Sequence, residues 1–340
     1  MDLRLSDEQE QLVASFGDLF AKQSSPVQVR EAEPLGHAPA LWDALGEVGV
    51  VPMAVPVEHD GWGASLLDLA LVAEQAGRAV APAPIIDTQV TARLLAALDT
   101  DLARTTLRSV LDDGAIVTLA LQPVRAGILP LVPAGAVAAH VVVPDGERLL
   151  LVDAAAQAPR PVANLGGQPL ADLTLDGAVE LASGPDAIAA VDHAVSEWLV
   201  LTAAALLGIG TRAHEMACEY ACERRAFGSP IGSFQAISHP LADQATALAG
   251  SRLLTHKAAW ALDDQPQRFH ELAAMAFAFA SETARDATYH SLHTHGGYGF
   301  MLEQDIQLLY RRARGWARVW GDPQRAYARA AGFRYVKEGR

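Results

Sequence analysis

The chain has 340 residues, 26 Lys and Arg against 40 Asp and Glu, and a formal net charge of −14 with histidine neutral. It is 51% apolar and only 19% charged, which excludes a disordered chain, since such a chain could not bury enough surface to offset its ordering entropy. The acidic balance argues against a nucleic-acid binder, whose phosphate contacts need a basic surface, and the length fits two domains or three smaller ones.

The first eleven residues are acidic and lack the apolar stretch of a signal peptide. Ser6 and Gln9 have capping-box spacing, and Leu12, Val13, Phe16, Leu19 and Phe20 then follow the helical period. Pro26 and Glu33-Pro34-Leu35-Gly36 read as breaks. Further helices are predicted near Pro39 to Val48, Leu66 to Arg78, Thr88 to Leu98 and Ala103 to Leu111. An irregular stretch with Pro52, Pro56 and Gly61-Trp62-Gly63 lies among them.

After Asp113-Gly114 the pattern changes to short runs rich in Val, Leu and Ile. These are Ala115 to Leu121, Val137 to Val143, Arg148 to Val152 and Asp172 to Leu175, punctuated by Pro and Gly, as strands joined by turns are. From Pro185 the helices return and lengthen: Asp186–Arg225, Phe234–Asp263, Arg268–His293, Glu303–Ala313 and Pro323–Phe333. Long helices with short links predict a bundle. The expected fold class is mostly α with a small β domain, in three parts: a helical domain over 1–113, a short β domain over 114–182 and a helical bundle over 183–340. The longest apolar run, Trp198 to Gly210, falls short of the roughly 20 residues a bilayer crossing needs. Two cysteines make no disulfide framework. A cytoplasmic protein without a membrane span is expected. No glycine loop of the GxGxxG or GxxxxGK[ST] type is present.

The residues able to carry chemistry concentrate in the last third. Arg224-Arg225-Ala226-Phe227-Gly228-Ser229-Pro230-Ile231 ends one predicted helix, and Phe234-Gln235 opens the next. His295-Gly296-Gly297-Tyr298-Gly299-Phe300 ends another. Each has an ordinary reading alone: an arginine at a helix C-terminus suits the dipole, Phe227 suits a core, and Gly-Gly suits a left-handed cap.

Together they resemble the acyl-CoA dehydrogenase family. The stretch from Arg224 to Asp243 is similar to that family's helix-to-helix junction. HGGYGF, followed by Glu303 and by Tyr310-Arg311, is similar to its last flavin-contacting turn. The N-terminal third fits too, with Leu5-Ser6-Asp7-Glu8-Gln9, Trp42, Leu45-Gly46, Gly49, the run Val55 to Ser65, and Ala73-Glu74-Gln75-Ala76-Gly77-Arg78.

The resemblance implies the same α–β–α order and an FAD-dependent oxidation of the Cα–Cβ bond of an acyl-CoA thioester. In that family a carboxylate takes the α proton and the β hydride goes to the flavin. Each FAD spans two subunits, one holding the isoalloxazine and its neighbour the pyrophosphate and adenosine. Carried over by position, Arg224 would face the neighbour's pyrophosphate. Phe227 and Gln235 would lie by the adenosine, and Gly296 and Gly297 where the backbone approaches the cofactor. His293 stands where a glutamine is usual, and Gln324 remains at a further cofactor position.

The departures are informative. The family carries its base at one of two places, and here these hold Trp198 and Trp320, which cannot abstract a proton from carbon. Glu197 is adjacent to the Trp198 position, one residue and about 100° of helix away. Leu121-Gln122-Pro123 and Ala126-Gly127 replace the flavin-facing Thr-Glu-Pro and Gly-Ser-Asp. Asp322 and Pro323 replace small hydroxyl residues, and Arg312 an acidic one. Groups serving the chain's own flavin face are gone, while many serving a neighbour's FAD remain. The resemblance is therefore to the smaller, non-catalytic subunit of an α2β2 acyl-CoA dehydrogenase, such as actinobacteria use on bulky steroid side-chain thioesters. It implies a longer homologous partner that binds most of the acyl-CoA, FAD shared across the interface, and electron-transfer flavoprotein as acceptor. Two alternatives stay open: a self-sufficient homomeric dehydrogenase using Glu197, and a flavin-free acyl-CoA-binding or scaffold protein.

Other groups have ordinary readings. His290, His293 and His295 lack a further ligand at a matching spacing, so no metal is expected. Cys218 and Cys222, four apart on a helix, suit packing. Arg311, Arg312, Arg314, Arg318, Arg325 and Arg329 suit a CoA phosphate, a partner's acidic face or a solvated helix face alike.

Overall fold

A computed structural model describes residues 4–335, so the outermost residues of the first and third ranges above lie outside it. The N-terminal helices are α1 (Asp7–Gln23), α2 (Pro26–Ala32), α3 (Pro39–Glu47), α4 (Leu66–Arg78), α5 (Ile85–Leu98) and α6 (Asp101–Asp113). The Ser6–Gln9 capping box opens α1 as the spacing predicts. Helix α2 was not expected. Pro26 is its first residue, where a missing N–H costs nothing, and Ser25 and Gln28 form a second capping box around it. Ser65 and Asp68 form a third at α4.

Six strands follow: β1 (Val117–Leu119), β2 (Ile128–Val132), β3 (His140–Asp145), β4 (Arg148–Asp153), β5 (Ala171–Thr174) and β6 (Val179–Ser183). They make a four-stranded sheet of order β1-β3-β4-β6 and a separate β2–β5 ribbon. Strands β3 and β4 pair across an Asp145-Gly146-Glu147-Arg148 turn in which Gly146 takes φ +64°. The two-residue period divides their side chains. Val142, Leu149 and Leu151 face the helices, while Val141, Val143, Leu150 and Val152 pack with Leu129, Val132 and Leu173 of the ribbon. Strands β2 and β6 were not expected. Pro130 and Pro133 read as punctuation, and β2 is irregular, with a register shift between Leu129 and Val132 and Leu131 at φ +49°.

The C-terminal helices are α7 (Pro185–Glu223), α8 (Gln235–Asp264), α9 (Pro266–His295), α10 (Ile306–Trp316) and α11 (Gln324–Tyr335). Helix α7 is the axis of the molecule, packed on α4, α5, α8, α9 and α10. At 39 residues it is long and apolar enough to cross a membrane, but 89% of its most apolar window is buried inside the protein. Its contact with α4 is very close. A Cβ on Gly208 would lie 2.0 Å from the Glu74 carbonyl oxygen, and one on Gly77 2.0 Å from that of Ala205. Because α7, α8 and α9 run up, down and up, the end of α7, the start of α8 and the end of α9 share one end of the bundle. Tyr220 stacked on His295 at 4.5 Å and Ser291 Oγ donating to the Ala213 carbonyl at 2.6 Å fix that end.

Candidate functional site

Trp198, on α7, and Trp320, in the turn between α10 and α11, are far apart in sequence but meet in the fold. Both are buried, and each ring centroid lies 6.0 Å from that of Phe277 on α9. The three rings meet where the two positions that the resemblance assigns to a base come together. Each tryptophan is also anchored. Trp198 Nε1 donates to Asp87 Oδ1 at 3.0 Å, and the Arg325 guanidinium lies 4.4 Å over the Trp320 ring while donating to the Trp320 carbonyl at 2.6 Å. Burial pushes the Asp87 carboxyl up to about 6, although the Trp198 N–H opposes the shift. Gln122, in the stretch that replaces Thr-Glu-Pro, donates to the Val319 carbonyl at 2.8 Å and ties the β region to the Trp320 turn.

Glu197 faces elsewhere. Its Oε1 accepts from Arg93 Nη2 at 2.8 Å, both its oxygens accept from Arg93 Nε at 3.0 Å, and His193 Nε2 is 3.5 Å away. Burial raises its pKa, but Arg93 and His193 outweigh burial and hold the carboxyl below its usual range. The pair lines a pocket of about 490 Å³ with His59, His193 and Leu94. A carboxylate ionised this firmly and bound at both oxygens is a weak proton acceptor.

Six of the seven candidate cofactor residues gather at the shared end of the bundle. Arg224 closes α7, and the backbone turns through a short ladder, Arg225–Ala226 against Ser229–Pro230, before Gln235 opens α8. At the tip of that turn Phe227 is 98% exposed at φ +52°, its ring edge-on to Phe234 at 6.2 Å. His293, exposed on α9, stacks on Tyr289 at 6.2 Å. Gly296 has φ +63°, which favours glycine, but Gly297 does not. A Cβ on either would meet nothing within 4 Å. Nothing among the described residues therefore requires glycine at position 297. Gln324 does not join this group. It opens α11 and lines a different pocket with Ser281 and Arg285, which lie about 16 to 23 Å back along α9 from Gly296.

The arginines after Arg311 mostly bind the chain itself. Arg311 and the buried Arg312 share Glu33, and burial lowers the Arg312 guanidinium to about 10 despite that partner. Arg318 lies 3.6 Å from Asp322, and Arg329 donates to Asp192 at 2.7 Å and to Ser196 Oγ at 2.8 Å. Asp322 in turn accepts from the Gln324 N–H at 2.9 Å. The three histidines have separate neighbours: His290 and His293 meet Tyr289 from different sides, and His295 Nδ1 lies 2.8 Å from the Ser291 carbonyl. Sequence reasoning missed Phe277, Arg93 and Asp87. No local motif marks them, because each acts across at least 43 positions of chain on its tryptophan or on Glu197.

Comparison with known proteins bears on the whole of this arrangement. The acyl-CoA dehydrogenase N-terminal domain profile matches residues 6–105, and the C-terminal domain profile residues 199–322. Acyl-CoA dehydrogenase IpdE2 of Mycolicibacterium smegmatis is 32% identical over 328 residues, 94% of this chain and 96% of its own. The chain belongs to the acyl-CoA dehydrogenase family. IpdE2 of Mycobacterium tuberculosis is likewise 32% identical, over 95% of this chain and 96% of its own. Among solved structures, a variant of the Tcur3481–Tcur3483 steroid ACAD has a TM-score of 0.87 at 26% identity, covering 96% of this chain and 97% of its own. The ChsE4–ChsE5 complex from Mycobacterium tuberculosis shares the fold with a TM-score of 0.90 at 24% identity over the full length of both chains. The family's members are FAD-dependent oxidoreductases, and both structural relatives are named as pairs of different chains.

Proposed function

We propose that this acyl-CoA dehydrogenase family chain is the accessory subunit of a heteromeric enzyme that desaturates an acyl-CoA thioester. The observation that carries the reading is the Trp198–Phe277–Trp320 cluster, which fills the place of the base with aromatic rings. The chain lacks its own catalytic base, and in isolation it is inactive. A longer homologue supplies the carboxylate and binds most of the acyl-CoA, in an α2β2 assembly. The paired relatives support that partner, and the steroid ACAD among them supports a bulky steroid side-chain thioester as substrate.

The open end of the bundle fits the adenosine and pyrophosphate half of the partner's FAD. When bound, FAD supplies the two-electron acceptor of the desaturation, and electron-transfer flavoprotein then takes the electrons. Arg224 offers a fork of donors to a diphosphate. Phe227 offers a ring face, Gln235 and His293 offer hydrogen bonds, and Gly296 and Gly297 leave the backbone open to close approach. Gln324 stands apart from this half-site in its own chain.

The visible spectrum of the chain tests the reading, first purified alone and then co-expressed with its nearest genomic neighbour of the same family. The expected result is a colourless chain that turns yellow with its partner, at one FAD per heterodimer. A chain yellow on its own, with one FAD per subunit and turnover, overturns it. A colourless complex that still binds acyl-CoA supports the scaffold alternative instead.

A further inference from the structure

A cavity between α1, α4, α7 and α10 belongs neither to the tryptophan cluster nor to the end of the bundle. It holds about 480 Å³, within the roughly 300–1,000 Å³ of small-molecule sites. Its apolar wall is Phe20 of α1, Val80 just after α4, and Leu308 and Leu309 of α10, all buried, with Met216 of α7 beside them. None of the candidate cofactor residues lines it.

Two residues of the wall are unfavourable for the fold taken alone. Gly17 lies in the middle of α1, where glycine is a poor helix former. A Cβ on Gly17 would meet only Gln75 Oε1, at an ordinary 3.7 Å, so packing does not demand the glycine. A longer side chain there would project from α1 toward Gln75 of α4, across the cavity that both residues line. Val80 is β-branched yet holds φ +44°, a region such residues rarely adopt. Its N–H donates to the Gly77 carbonyl at 3.0 Å, and Ser24 Oγ donates to the Ala79 carbonyl at 3.2 Å, which together hold the turn. Backbone strain of this kind gathers at ligand sites, where the surroundings over-determine it.

The charges at the rim are matched. Arg78 donates to both oxygens of Glu215 at 2.9 and 2.8 Å, Arg212 lies 3.4 Å from Glu215 and from Glu219, and Arg30 donates to Asp305 at 2.9 Å. Three cations against three carboxylates leave no net charge, so an entering ion would lose its water without gaining a counter-charge. The polar group left open is the Gln75 side-chain amide. It has no hydrogen-bond partner among the described residues and can both donate and accept.

We propose that this cavity binds an uncharged, mainly apolar small molecule carrying an alcohol or ketone oxygen. The oxygen meets the Gln75 amide, and the hydrocarbon lies against Phe20, Val80 and Leu308. The site does not rest on the accessory-subunit reading.

Isothermal titration of the full chain tests this, with 1-octanol and then octanoate as probes. A saturable single-site signal is expected for octanol, with a Kd below about 1 mM, and octanoate should bind at least about tenfold more weakly. Gly17→Leu fills the cavity and should abolish the octanol signal while raising the thermal midpoint, since leucine is the better helix former. The raised midpoint tells a filled cavity from a misfolded chain. Gly332→Leu, at a glycine of α11 with nothing within 4 Å and outside the cavity, should leave binding unchanged. Gln75→Leu should weaken octanol about fivefold through the loss of one hydrogen bond, and it remains informative if Gly17→Leu fails to fold. Absence of saturable heat from octanol up to about 2 mM, a signal unchanged in both cavity variants, or tighter binding of octanoate than of octanol overturns the proposal.

Discussion

The two regions where an acyl-CoA dehydrogenase meets its ligands have gone opposite ways in this chain. Trp198, Phe277 and Trp320 are buried against one another, and both tryptophans are tied to the protein's own side chains. At the shared end of α7, α8 and α9 an aromatic ring stands almost fully exposed on a left-handed residue, and Gly297 has nothing near it. A region that has simply lost selection tends to be loose and unsatisfied. The first region is instead packed as a core, and the second is left open as a surface that expects a neighbour is. The difference teaches that burial around the two tryptophans and exposure at the end of the bundle are set by separate parts of the fold.

The sharpest way to break the comparison is to empty the filled region. Trp320→Ala removes a buried ring, its edge contact with Phe277 and its stacking with Arg325, and should cost about 3–5 kcal/mol of unfolding free energy. Denaturant unfolding of the isolated chain reads it. A loss below about 1 kcal/mol would mean that the rings are not a core, and that the cavity is a ligand pocket with mobile walls.

Glu197→Gln comes next. If Glu197 were a base, the variant would fold normally and lose turnover. Its partner Arg93 is largely buried, so the variant leaves a cation without its counter-charge and should cost about 3 kcal/mol. The pH dependence carries the sign. The Glu197 pKa is lowered on folding, so its contribution is present above the ordinary glutamate value and is lost as pH falls through the folded one. Wild type should therefore lose stability on acidification below about pH 4 more steeply than the variant. Asp87 acts in the opposite direction. Its carboxyl titrates near 6 when folded and near 3.8 otherwise, so the folded state holds the proton longer and stability falls as pH rises between those values. Asp87→Asn keeps an acceptor for Trp198 and should stabilise the chain more at pH 8 than at pH 5. Thermal midpoints from about pH 3 to about pH 8 check both signs.

Much of this was legible in the residues, and the limits were physical. The capping boxes at Ser6 and the long periodic runs of α7, α8 and α9 are local signals, and they located their elements to within a few residues. Pro26 was misread because the same ring that ends a helix also begins one, and only the flanking Ser25 and Gln28 decide between the two. The strands β2 and β6 were missed because a bulged strand and an edge strand carry little alternation. The two tryptophans could be placed by resemblance, but their meeting at Phe277 depends on tertiary packing. Nor does any motif announce that Arg93, 104 residues earlier, turns Glu197 into an ion-pair partner.

The open region sharpens the comparison from its own side. Arg224→Gln should leave the stability of the isolated chain within about 0.5 kcal/mol, since the side chain is exposed, while lowering the flavin affinity of the co-expressed complex roughly tenfold to a hundredfold. Flavin released per heterodimer after gel filtration measures it. Equal flavin content in variant and wild type would move the pyrophosphate contact away from the end of the bundle.

The smallest expected effect is the most discriminating, because its two halves have opposite signs. Phe227 is 98% exposed at φ +52°, so its side chain contributes little burial to the free chain and pays for a backbone conformation that a bulky residue rarely adopts. Phe227→Gly relieves that strain, offset in part by the freedom glycine gains when unfolded, and should stabilise the isolated chain by up to about 1 kcal/mol. In the complex the same change removes a ring from the cofactor side and should reduce retained flavin several-fold. Phe227→Asn, which also tolerates the left-handed region, separates backbone relief from side-chain loss: it should match glycine in flavin content and stand between glycine and wild type in stability. If Phe227→Gly instead destabilises the free chain, the ring is held by Phe234 as part of the fold, and the open end of the bundle is less open than its exposure indicates.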